Sequence, residues 1–298
     1  GLGRFWSGKT VKPKKGLEFG CLAVVNVAEQ TAYHLEAVQT PSGMKGKLIE
    51  HYLSIIMNHL KAVLQLTRYL VVDGYFMKTN FITPVVKAAG LHVITKMRPD
   101  ANLQYLYTGP QRKGRGRKRK VGGKVNVKSI DTRKWKKCYS DQTLTAYELI
   151  VWCVTLKAAA KVVYRQAKQG NWYEILLSTD TAQKAKQIIQ YYQLRFQIEF
   201  LIRDVKQHTG LKHCKTRSQE KLYNHVNLSL STVSMSKQMF WSSLPNKQEV
   251  PFSMRSIKIS YYNKFLAEFI FSNLAVDLNC KKIKRLFQQC ISIGDMAA

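Results

Sequence analysis

Apolar and polar positions along the chain recur with two periods, and the switches between those periods lay out an order of elements. Residues 17–28, LEFGCLAVVNVA, are apolar and β-branched enough for a buried strand. After the polar break Glu29-Gln30-Thr31 a second strand runs to Gln39, so the pair predicts a hairpin. Thr40-Pro41-Ser42-Gly43 is a turn cluster. From Lys47 to about Tyr69, Leu48, Leu53, Ile56, Met57, Leu60, Val63, Leu64 and Leu66 recur at helical spacing. That helix leads into YLVVD, a short strand ending at Asp73 and broken by Gly74. A second helix follows over Asn80–Ala89, then a strand at 91–98. Hairpin, helix, strand, helix, strand is an α/β order.

The pattern changes after Pro99. Residues 101–140 hold thirteen Lys or Arg and one acid, and QRKGRGRKRK at 111–120 is the densest run. With Gly109-Pro110 and Gly122-Gly123 around it, this predicts an exposed basic loop. Three strand-like stretches follow at 144–154, 159–167 and 172–179, separated by short turns, as in an antiparallel meander. A long helical pattern then covers Thr181 to His208, and the remainder reads as helices joined around Pro245 and Pro251.

Composition narrows the partner. The chain has 298 residues, 48 Lys plus Arg against 18 Asp plus Glu, a formal charge of +30, and 45% apolar residues. An apolar fraction that high builds an ordinary core, so the charge belongs to a folded protein. A folded chain this basic implies a polyanionic partner, with nucleic acid first and an anionic membrane surface second. No apolar run approaches the roughly 20 residues of a spanning helix. The N-terminus has no secretory signal pattern, so the chain reads as cytoplasmic. The six cysteines form no C-x-x-C pair and the seven histidines no H-x3-H pair. Free thiols are expected, and a zinc site is not. The first residue is Gly rather than Met, which suggests a piece of a longer protein.

The most informative window is YYQLRFQIEFLIRDVK. On one continuous helix, Arg195, Glu199, Arg203 and Lys206 fall within about 80° of one another at 100° per residue. Leu194, Ile198, Leu201, Ile202 and Val205 flank that stripe on one side, and Phe196 and Phe200 on the other. One acid in a cationic row fits a metal ligand whose neighbours bind phosphate. An ordinary amphipathic helix with Glu199 paired to Arg195 and Arg203 fits as well. Asp73, at the carboxyl end of a buried strand, lies at the sheet edge where ligands bind in α/β folds. Asp is also a common turn residue at strand ends.

Tyr192-x2-Arg195-x3-Glu199-x6-Lys206 resembles the Y-x2-R-x3-E-x6-K signature of bacterial insertion-sequence transposases of the DDE type. YLVVDGYF is similar to the family's second acidic motif, and TKMRPDANLQYLYTGPQRKGRGR and RFQIEFLIRDVKQHTGL to longer stretches of its members. The resemblance runs from Gly1 to about Met239. It implies an α/β fold with a ribonuclease-H-like core, a β-rich insertion and a helical C-terminal region. The implied boundaries are 1–100 for the first part of the core, 101–180 for the basic loop and meander, 181–215 for the helix bearing the last carboxylate, and 216–298 for the C-terminal helices.

It also implies metal-dependent hydrolysis and strand transfer at transposon ends. Three carboxylates would hold two Mg²⁺ or Mn²⁺ ions, with Asp73 as the second carboxylate and Glu199 as the third. Tyr192, Arg195 and Lys206 match positions that contact the transposon end, and Arg203 lies in the same row. The expected partners are double-stranded DNA and a second copy of the chain on that DNA, in a bacterial cytoplasm near the nucleoid. The family's first acid lies on a strand ahead of a stretch similar to GLGRFWSG, with which this sequence begins. That acid is therefore expected upstream of Gly1, and these 298 residues are expected to bind DNA and to be impaired in catalysis.

Further signals are weaker. Arg112, Lys113, Arg115, Arg117, Lys118, Arg119 and Lys120 are expected to grip the phosphate backbone without sequence preference. Arg115-Gly116-Arg117 resembles the core of a minor-groove AT hook without its proline. Asp180 is a reserve candidate for the metal site, although Ser-Thr-Asp before a helix also reads as an N-cap. The five tryptophans are expected to anchor packing, with Trp135, between Lys134 and Lys136, also placed to stack on a base. Two other readings stay open: a non-catalytic DNA-binding remnant of such an enzyme, and a related ribonuclease-H-like nuclease.

Overall fold

A computed structural model describes residues 2–7, 10–44, 46–111, 114, 116–244, 251–274, 277 and 279–294. The strands and helices, in chain order, are β1 (Gly3–Ser7), β2 (Lys12–Gly16), β3 (Phe19–Asn26), β4 (Thr31–Gln39), α1 (Leu48–Asn58), α2 (Leu60–Leu66), β5 (Tyr69–Val72), α3 (Thr79–Lys87), β6 (His92–Lys96), β7 (Leu103–Leu106), β8 (Val121–Lys124), β9 (Lys136–Ser140), β10 (Leu144–Cys153), β11 (Ala158–Ala167), β12 (Tyr173–Ser178), α4 (Ala185–Leu194), α5 (Gln197–His208), α6 (Gln219–Ser243), α7 (Met254–Asn273) and α8 (Lys281–Ile291). They divide into two compact units. One comprises Gly1–Thr31 with Val38–Gln197, the other Ala32–Ala37 with Ile198–Ala298.

The first unit is mixed α/β around an eight-stranded sheet of order β5-β6-β12-β11-β10-β7-β8, with β9 also on β10. The β5–β6 pair is parallel, and β12 turns the sheet antiparallel by pairing with β6. β12 reads YEILLS because a central strand with a layer on each face needs no polar alternation. Its side chains go alternately to two cores. Ile175 and Leu177 join Val162, Leu103 and Trp135 on one face, while Leu176 joins Val163, Ile94 and Ile188 of α4 on the other. Each fully buried side chain of this kind contributes about 1.5–3 kcal/mol, and together they fix the β6–β12 register that shapes the site.

Three sequence expectations need correction here. Residues 101–140 are not one exposed loop, since they supply β7, β8 and β9, and Leu103, Val125, Val127 and Trp135 are core residues. Their apolar positions are few but aligned on one face, which the lysine and arginine count masks. The helix expected over 47–69 is two helices, interrupted at His59. The long helix expected over 181–208 is also two, α4 and α5, with a break at Arg195–Phe196. There the amide of Phe196 donates to the carbonyl of Gln193, a three-residue step that ends the four-residue ladder. No Pro or Gly lies between 185 and 208, so the break has no punctuation in the sequence. Finally, β1 and β2 form an antiparallel ribbon that the hydrophobic pattern does not announce.

The second unit is helical. Its α6 carries Asn227, Ser234 and Lys237 on the side that receives residues 32–37. Asn227 accepts from the Ala37 amide at 2.8 Å and donates to its carbonyl at 2.9 Å. Ser234 accepts from the His34 amide at 2.8 Å, and Lys237 donates to the Ala32 carbonyl at 3.0 Å. α6 and α7 meet through Phe240 and Phe252, the latter just ahead of α7, and α7 and α8 through Phe271 and Phe287. Pro245 lies outside the described residues, and Pro251 precedes α7, whose N-cap Ser253 accepts from the Ser256 amide at 3.2 Å. Among the described residues no helix is long and apolar enough to cross a membrane. The six cysteines are free.

Candidate active site

Asp73 immediately follows β5, at the carboxyl end of the parallel pair. Its Oδ1 accepts from the Tyr75 amide at 2.9 Å and caps a 3₁₀ turn over Gly74–Phe76, while its carbonyl accepts from Thr95 Oγ1 at 2.9 Å. Capping is what any strand-end aspartate does. Here the strand pairs with β6 and packs against α4 while the carboxylate remains exposed. Gly74 permits the tight exit, because a Cβ there would stand 3.1 Å from the Lys96 carbonyl oxygen.

The same sheet edge carries charges that the hydrophobic pattern misses. β12 runs antiparallel to β6 with Leu176 opposite Lys96, so the start of β12 lies at the Asp73 edge. Glu174, 8% exposed, sits there and pairs with Arg165 at 2.7 Å and Lys96 at 3.2 Å. Arg165 and Glu174 are direct cross-strand partners. Their pairing was invisible in the sequence because only the tertiary register sets it; a charged residue in each of two adjacent meander strands is the one signal available.

Tyr192 of α4 faces this edge. Burial raises its phenol from the ordinary value; the Arg195 guanidinium opposes that shift, while the negative charges of Glu174 and Asp73 add to it. The Arg195 guanidinium lies 5.8 Å from the Tyr192 ring centre. Asp73, Tyr192 and Arg195 are thus brought together within the first unit, beside the Glu174 ion-pair cluster.

Asp180 does not belong to that group. It follows β12, at the opposite end of the strand from Glu174, and accepts from the Tyr69 hydroxyl at 2.8 Å and the Ala182 amide at 2.9 Å. Burial pushes its carboxyl up, but those hydrogen bonds outweigh burial and the net shift is downward. The Tyr69 phenol is pushed up to about 12 by burial and by Asp180. The antiparallel direction of β12 is what removes Asp180 from the Asp73 edge.

In the second unit, α5 presents Glu199 and Lys206 exposed, with Arg203 between them. The break at Arg195–Phe196 means that Tyr192 and Arg195 do not share a continuous helix with these three, so the single stripe is corrected to two segments. Nor is Glu199 the lone acid of α5. Asp204, 9% exposed, accepts from Arg203 at 3.1 Å and draws part of that guanidinium's charge.

Arg112, Lys113 and Arg115 lie outside the described residues, and with Arg115 the AT-hook-like triplet. Arg117, Lys118, Arg119 and Lys120 are exposed between β7 and β8. Arg119 is held, its guanidinium 4.6 Å from the Tyr107 ring centre and its backbone bonded to the Gln111 amide group at 2.8 and 3.0 Å. Trp135 is 5% exposed within the core and presents no face to a base, whereas Trp6 and Trp172, 64% and 50% exposed, are not packing anchors. Among the described residues, no group of three or more His, Cys, Asp or Glu side chains is placed to hold a metal ion.

Comparison with known proteins gives one positive result. A family model described as "Transposase DDE domain" matches residues 23–234, and no curated protein matches the chain. The match spans more than half of the 298 residues and includes Asp73, Tyr192 and Glu199. The chain therefore belongs to the DDE transposase family, whose substrate is DNA.

Proposed function

We propose that the chain is the transposase of a bacterial insertion sequence, cutting and joining phosphodiester bonds at transposon ends in the nucleoid, with a ribonuclease-H-like core divided as the boundaries at 100, 180 and 215 suggest. The observation that carries this reading is a DDE domain match over residues 23–234 in a chain whose partly buried strand β5 ends in an exposed aspartate. Asp73 and Glu199 are assigned as the carboxylates that hold divalent metal. Their chemistry fits Mg²⁺ or Mn²⁺, since such ions take hard oxygen donors and are commonly held by one or two carboxylates, waters and substrate phosphates. When bound, an ion pair supplies positive charge at the reacting phosphate, stabilising entering and leaving oxygens.

The chain's own residues hold the substrate. Tyr192 and Arg195, next to Asp73, contact the transposon end, as do Lys206 and Arg203 on α5. The cations at 112, 113, 115 and 117–120 add contacts to the phosphate backbone. The reading carries a homodimer on DNA and, as the resemblance implies, the family's first carboxylate on a strand ahead of the GLGRFWSG stretch.

The test uses the chain extended upstream to include that strand. Mg²⁺-dependent nicking of a cognate end is expected and is abolished by a chelator. Asp73→Asn and Glu199→Gln each reduce it by about three orders of magnitude, with DNA affinity held within about twofold, since metal-site acids act on the reaction more than on binding. Nicking that survives either substitution sinks the assignment, as does an extended chain that binds DNA but never nicks it.

A further inference from the structure

The β1–β2 ribbon carries a feature that folding alone does not account for. Arg4 and Lys15 stand directly opposite each other, as do Trp6 and Pro13. Side chains two apart on a strand share a face, so Arg4, Trp6, Pro13 and Lys15 form one face of the ribbon. All four are exposed, Trp6 by 64%. Lys12 and Lys14, on the other face, are exposed too. Like charges directly across a strand pair are destabilising, and residues 1–17 contain five cations and no acid to relieve them. An external polyanion would relieve that repulsion. Lysines and a proline are also the residue types that keep an edge from accepting another protein strand.

We propose that the β1–β2 ribbon is a DNA-binding element, in which Arg4, Lys12, Lys14 and Lys15 hold phosphates and Trp6 stacks on an unpaired base at a DNA end. The proposal rests on DNA being the substrate and adds a contact outside Asp73, Glu199 and the basic run at 111–120. Two-stranded ribbons fit the major groove of a duplex, which accounts for the phosphate contacts. Base faces inside a duplex are already stacked, so an exposed indole gains a partner only where a base is unpaired.

Fluorescence-anisotropy titrations of residues 1–298 against a duplex, and against the same duplex with a short 3′ overhang, are run over a salt series. The four-site variant Arg4→Ala, Lys12→Ala, Lys14→Ala, Lys15→Ala is expected to weaken both DNAs about tenfold and to flatten the log–log salt slope by about 3.6, or about 0.9 for each of the four lost phosphate contacts. Trp6→Ala is expected to weaken only the overhang DNA, about tenfold, with Trp6→Phe restoring it. A charge-matched variant of α8, Lys281→Ala, Lys282→Ala, Lys284→Ala, Arg285→Ala, leaves the slope unchanged. Circular dichroism checks that each variant is folded. Equal loss of slope in the two charge variants overturns the proposal, as does a Trp6→Ala effect that is absent or identical on both DNAs. Failure of the unaltered chain to bind either DNA overturns the substrate reading itself, which separates the two failures.

Discussion

Two carboxylates at one sheet edge do different work. Asp73 is exposed at the end of β5, while Glu174 is buried between Arg165 at 2.7 Å and Lys96 at 3.2 Å. Lys96 is half-exposed, so its pairing adds little; Arg165 is buried and Glu174 is its counter-charge at 2.7 Å. Removing one member of a buried pair strands the other, which costs about 3–5 kcal/mol. Glu174→Gln should therefore lower stability by about 3 kcal/mol in urea denaturation. Replacing both members, Arg165→Met with Glu174→Leu, should recover most of that loss because no charge is left stranded. A double variant that loses the sum of the two single losses would show that the pair is not coupled. The pair also marks the limit of reading a site from sequence: Asp73 stood out because a partly buried strand ended in Asp-Gly, whereas Glu174 lies inside a strand and reaches the same edge only through the β6–β12 register.

At the scale of elements, α6 explains why residues 32–37 belong with the helices. A strand edge has backbone donors and acceptors to satisfy, and Asn227 meets both of those at Ala37 while its Oδ1 also accepts from His34 Nε2 at 2.9 Å. Asn227→Ala leaves the Ala37 amide and carbonyl and the His34 ring without that partner. At about 1 kcal/mol for each net hydrogen bond, the cost should be about 2–3 kcal/mol. Amide exchange at Ala37 should accelerate in step, and unchanged exchange would rule out the side-chain clamp. None of this is legible in a helix pattern, where Asn227 reads as one more polar position. The meander β10–β12 was legible because its apolar runs are strand-length and separated by turns. The β1–β2 ribbon was not, because Arg and Lys take the places where alternation needs apolar residues, and the split between α4 and α5 was not, because no Gly or Pro marks it.

For the whole molecule, a charge of +30 makes two opposite salt dependences follow from one cause. Self-repulsion of a highly charged chain disfavours the compact state, and raising salt from about 0.01 M to 0.1 M shortens the screening length from about 30 Å to 10 Å. Thermal midpoint should rise over that range; if screening returns about 1 kcal/mol, the shift is roughly 2–4 °C for a chain this large. DNA affinity should move the other way. Each neutralised phosphate adds about 0.9 to the negative log–log slope, so about eight contacts cost roughly three to five orders of magnitude between 50 and 200 mM salt. Bound DNA supplies the counter-charge itself. Scanning calorimetry of the complex should consequently show the thermal midpoint falling with salt as the DNA is released, where the free protein's rises. A free protein whose midpoint also falls with salt would mean that its charges are already balanced internally, and the excess of cations would then no longer point to a polyanion.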